Sequence, residues 1–148
     1  MSTSRPLELL HMDLFGPIST TSLSSKYYGY VIMDDYSRYT WVHFLWSKNE
    51  AFQNFVKFSK AVQKEKDAEI GKVRSDHGKE FENSEFKSFC EDHGITHQFS
   101  TPRTPQQNGV VEKKNRTLVE MTRSMLCENG LPKYFWAEAV NTACYITN

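Results

Sequence analysis

Three acidic residues stand where the hydrophobic pattern of the chain breaks off, and they are the side chains whose type and spacing could do chemistry. Asp13 lies late in an otherwise apolar run, residues 7–15; Asp76 follows a short run at 70–75 and precedes His77 and Gly78; Glu112 falls in the first turns of a helical pattern that starts near residue 110. An unpartnered carboxylate is costly to bury, so Asp13 needs a cation, a donor or a raised pKa. The small Gly78 lets backbone turn closely beside Asp76, and the positive N-terminal end of a helix favours the anion of Glu112. Brought to one edge of a sheet, the three could hold a divalent metal, and all-oxygen ligation suits Mg²⁺ or Mn²⁺ rather than zinc. Taken singly, each also reads as a solvated turn residue or helix cap. Asp34 and Asp35 are read in that plainer way, as turn acids between two strands.

The elements that must position these acids follow from periodicity. Residues 7–15 are apolar on both parities and stop at Gly16-Pro17, as in a central strand buried on both faces. Residues 27–33 and 39–46 are aromatic and β-branched, and residues 34–38 between them have turn chemistry, so the pair reads as a hairpin. Ser47 and Glu50 have capping-box spacing ahead of apolar residues at 51, 52, 55, 56, 58 and 62, which is helical spacing. A short strand at 70–75, a helix capped at Asn83 or Ser84 and stopped by Gly94, and a strand at 95–99 come next. Residues 101–109 read as a loop, followed by a helix over 110–128 and a last helix from Pro132 to Tyr145. The order β-β-β-α-β-α-β-α-α predicts a mixed sheet with helices on its faces.

Composition narrows the class further. The 148 residues are 39% hydrophobic, 24% charged and 14% aromatic, which excludes a disordered, collagenous or coiled-coil chain and sets the expectation of one globular domain. No apolar run is long enough to span a bilayer. Three cysteines without CxxC spacing point to a reduced compartment rather than disulfides or a zinc site. The 18 basic and 18 acidic residues cancel, which is unusual for a nucleic-acid partner. The distribution is uneven, however, with six acids against two bases in residues 76–94.

The text around the acids is distinctive. Exactly 35 residues separate Asp76 from Glu112, and three segments are linked in order: residues 11–17 (HMDLFGP), 74–81 (RSDHGKEF) and 104–116 (TPQQNGVVEKKNR). They closely resemble the D,D(35)E integrase core of Ty1/copia-type LTR retrotransposons, particularly plant ones, within the retroviral integrase superfamily. The resemblance implies an RNase H-like α/β fold, a five-stranded mixed sheet flanked by helices on both faces. It implies that Asp13, Asp76 and Glu112 are the catalytic residues and bind two Mg²⁺ (or Mn²⁺) ions. The reaction implied is 3′-end processing of element DNA, then strand transfer into target DNA.

By the same resemblance, Gln106, Gln107, Asn108 and Gly109 match a DNA-contacting loop, Asn115 and Arg116 share the helix face of Glu112, Lys114 joins the DNA-binding set with Arg103, and His77 lies near the site. A homodimer is implied through the 48–66 helix and a C-terminal helix. Phe52 and Phe55 are expected in the core, and Phe58 and Trp136 either there or in that interface, with Tyr134 and Phe135 nearby. The chain looks like a core excised from an upstream zinc-binding domain and a basic C-terminal region, acting in the nucleus after a cytoplasmic virus-like particle. An RNase H-type nuclease and a catalytically silent dimerisation module are the alternatives.

Overall fold

The computed structural model describes residues 3–100 and 109–148. Five strands, β1 (Leu9–Phe15), β2 (Tyr28–Asp34), β3 (Thr40–Leu45), β4 (Lys72–Ser75) and β5 (Thr96–Phe99), form one sheet in the order β3-β2-β1-β4-β5. The first three pair antiparallel, while β4 runs parallel to β1 and β5 parallel to β4. Among the described residues, four α-helices accompany the sheet: α1 (Ala51–Lys66), α2 (Ser84–Asp92), α3 (Gly109–Glu128) and α4 (Trp136–Thr147).

Strand alternation sorts β1 between two layers. Leu10, Met12 and Leu14 belong with Phe55, Phe58 and Val62 of α1 and Phe86 and Cys90 of α2. The opposite parity carries His11, Asp13 and Phe15, and Phe15 packs with Val111 and Leu118 of α3 and Ala143 of α4. The expected mixed sheet with helices on both faces is therefore what forms, and β1 is its central strand. Phe58 and Trp136, open between core and interface on sequence grounds, are 6% and 4% exposed and belong to the core. Phe52 is half-buried against the rings of Phe86 and Phe89.

Helix starts follow the capping chemistry. The Ser47 hydroxyl accepts from the Asn49 N–H, and Glu50 Oε2 accepts from the Ser47 N–H at 2.6 Å, which opens a short 3₁₀ turn running into α1. Asn83 caps α2, its Oδ1 accepting from Phe86 N–H at 2.9 Å. Asn83→Ala leaves that donor unmet and should cost about 1 kcal/mol, with Asn83→Ser recovering most of it. Urea denaturation of the three proteins measures this directly.

Two boundaries differ from expectation. The first strand begins at Leu9, because Leu7 has φ +65° and turns the chain, donating its N–H to Asp34 Oδ1 at 3.1 Å. Pro132 lies outside the last helix, extended at ψ 151°; a 3₁₀ turn at Lys133–Phe135 intervenes, and the helix runs on to Thr147.

Candidate functional site

The parallel pairing of β1 and β4 sets the first two acids side by side. His11 is registered with Arg74, and the same register two residues on brings Asp13 beside Asp76, just past the last residue of β4. Paired strands lie about 4.8 Å apart, and residues aligned across a parallel pair point to the same face. That face is the one covered by α3. The third acid comes from α3 itself, whose Asn115 is 7% exposed and donates from Nδ2 to Asp13 Oδ2 at 2.5 Å. Glu112 sits three residues before Asn115, on the same side of the helix.

The neighbouring charges act on Asp13. Burial, joined by the negative charges of Asp76 and Glu112, pushes the Asp13 carboxyl up to about 7, against a hydrogen bond from the Leu14 backbone and the Asn115 amide, which pull it down. Asp76 is held by its neighbours: its Oδ1 accepts from Gly78 N–H at 2.8 Å, so the glycine at 78 serves as backbone donor in a tight turn. The Cβ of any other residue at 78 would also meet the Glu80 carboxylate within 2.5–2.7 Å.

This set of three carboxylate oxygen donors suits a hard divalent cation in chemistry and in charge, and burial beside Asp76 and Glu112 disfavours Asp13 as an anion. It is an open set: among the described residues, no three His, Cys, Asp or Glu side chains are drawn together closely enough to hold an ion by themselves. Asn115 meanwhile occupies one Asp13 oxygen.

The other expected residues divide. Asn115 joins the acids directly, and Arg116 is exposed one residue on. Gly109 opens α3. Gln106, Gln107, Asn108 and Arg103 lie outside the described residues. Lys114 lies on the side of α3 opposite Glu112, and its Nζ donates to Thr147 Oγ1 of α4 at 2.8 Å. His77 is exposed, pairs through Nδ1 with Glu82 Oε2 at 2.7 Å and stacks on Phe99.

Sequence reasoning missed three partners. Asp34 is no solvated turn acid: it is 2% exposed and accepts from Leu7 N–H, Ser37 N–H and the Ser37 hydroxyl. Asp35 accepts from buried His11 at 2.8 Å, and that contact holds its carboxyl below the usual range despite some burial. Ser75 and His97 are joined behind Asp76. The positive φ at Leu7 had no signal in its residue type. A histidine on the apolar first strand was a signal for a buried partner.

Residues 3–105 match the family model described as Integrase core domain. The chain is 45% identical over 142 residues to the "Retrovirus-related Pol polyprotein from transposon TNT 1-94" of Nicotiana tabacum, which covers 96% of this chain and 11% of that protein. The chain thus spans about a tenth of the length of that relative. Among solved structures, a chain of the simian T-cell lymphotropic virus intasome superposes with a TM-score of 0.75 at 18% identity, covering 98% of this chain and 49% of that one. The HTLV-2 integrase catalytic core domain in complex with magnesium gives 0.66 at 20% identity, covering 95% and 84%. These likenesses establish the RNase H-like fold.

Proposed function

Because the chain belongs to the integrase core domain family, we propose that it is the polynucleotidyl transferase core of a Ty1/copia-type retrotransposon integrase. The observation that carries this reading is the meeting of Asp13 and Asp76 on neighbouring strands with the Glu112 helix, tied down by Asn115. Asp13, Asp76 and Glu112 would hold Mg²⁺ or Mn²⁺, two ions with DNA, and the charge supplied there would serve to activate an attacking oxygen and to stabilise a leaving one. Asn115 orients the Asp13 carboxylate, and Gly78 fixes that of Asp76. Arg116, exposed next to this face, meets a phosphate of the element end. Water is the nucleophile in 3′-end processing, and the freed 3′-hydroxyl is the nucleophile toward target DNA.

The rest of the reading concerns assembly. The homodimer runs through α1 and α4, and Tyr145 and Ile146 on α4 are exposed apolar side chains available to it. The protein acts in the nucleus, on element-end and target DNA.

A branched DNA that mimics the strand-transfer product tests the reaction class. With Mg²⁺ or Mn²⁺, the protein should resolve the branch by DNA strand joining. An RNA–DNA hybrid should stay intact. Cleavage of the hybrid with no DNA joining would assign the site to an RNase H-type nuclease, and neither product would leave a silent module.

A further inference from the structure

Behind Asp76, on the opposite face of the sheet, lies a polar contact that neither the metal chemistry nor the core accounts for. Ser75 is fully buried, in a layer otherwise lined by Val73, Phe81 and Phe86. Its Oγ donates to the backbone carbonyl of Asp76 at 3.0 Å and lies 2.9 Å from His97 Nε2. A hydroxyl has one proton to give. Spent on the Asp76 carbonyl, it leaves Ser75 to accept from His97, so the imidazole carries its proton on Nε2. The ring has little freedom to do otherwise: it stacks on Phe99 with centroids 4.1 Å apart and leans on Phe86 at 5.8 Å. The Ser75 carbonyl is taken by Ser100 N–H at 2.9 Å. The peptide leading into Asp76 is thus fixed on one side by β5 and on the other by the Gly78 turn.

We propose that Ser75 and His97 are a positioning pair that holds Asp76 in ligating place from the far face of the sheet. The inference rests on the reading of Asp76 as a metal ligand. Partners that orient a ligand without touching the ion characteristically govern affinity by 10–100-fold. Here the chain of contacts runs from α2 through Phe86 to His97, to Ser75 and to the backbone of Asp76. In this arrangement a hydrogen-bond donor at 97 is what matters, beyond the aromatic packing.

Mn²⁺ titration of the 148-residue protein, following the free ion by its electron paramagnetic resonance signal, tests this without any DNA. Ser75→Ala and His97→Phe should each bind Mn²⁺ about 10–100-fold more weakly than the parent, while His97→Gln, which restores a donor, stays close to it. Urea denaturation without metal checks that each variant folds; if Ser75→Ala does not, His97→Phe decides, since it keeps the ring. Affinity unchanged in these variants but lost in Asp76→Asn would overturn the positioning role and leave the metal site standing. Equal weakening in His97→Gln and His97→Phe would assign the effect to packing and overturn it as well. No binding by the parent would overturn both this role and the metal reading.

Discussion

Asp13→Asn is expected to abolish metal-dependent strand transfer and, in the same molecule, to make the metal-free protein more stable than its parent at pH 8. The carboxyl is pushed from its ordinary 3.8 up to about 7 by burial and by the charges of Asp76 and Glu112. A carboxyl whose folded-state pKa is raised contributes stability that is complete below about pH 4 and is lost as the pH rises through about 7. At about 1.4 kcal/mol per pKa unit, the loss at pH 8 is on the order of 1–4 kcal/mol. Asparagine is neutral, suffers no such loss, and still offers an oxygen to the Asn115 amide. The variant and the parent should therefore unfold alike near pH 4 and diverge as the pH rises. His97, pushed down to about 4 by burial, titrates in both proteins and cancels from the difference. Added Mg²⁺ should narrow the gap by stabilising only the parent. Equal midpoints in urea at pH 8 without metal would show that the Asp13 carboxylate is not electrostatically penalised.

The largest loss of stability should come from Phe86→Ala. Phe86 is fully buried and its ring meets Phe52 at 5.3 Å, Phe55 at 5.4 Å, Phe81 at 6.0 Å and His97 at 5.8 Å. It is the side chain through which α2 closes onto α1 and the parallel edge of the sheet. Removing it forfeits the burial of a large ring and leaves a cavity walled by other rings, which cannot easily collapse. The expected cost is about 3–5 kcal/mol, read as a lower urea midpoint with an unchanged slope. A loss below about 1 kcal/mol would mean that the ring cluster repacks and that α2 does not lean on this side chain.

Much of the molecule was legible in its residues. Apolar runs on both parities marked β1 as the central strand, and the capping residues Ser47 and Asn83 marked two helix starts within a residue or so. What periodicity could not supply was anything set by pairing across the sheet. Ser75 and His97 are 22 residues apart and meet only because β4 and β5 align in parallel. Asp34 looked like its turn neighbours, yet the left-handed Leu7 delivers an N–H to it from 27 residues away. The acids themselves were legible through their surrounding motifs more than through position, since Asp35, equally acidic, serves His11 instead.

The bond from Asn115 to Asp13 spans 102 residues, and this sets when the site can exist during synthesis. A ribosome that has released β1 through β5 has delivered the two aspartates but neither the third acid nor the amide that orients the first. Closing so long a loop waits on α3, which follows all five strands in the chain. Interrupted translation therefore yields products that carry two of the acids and no complete centre. No fragment that stops short of α3 can form the bond between Asn115 and Asp13.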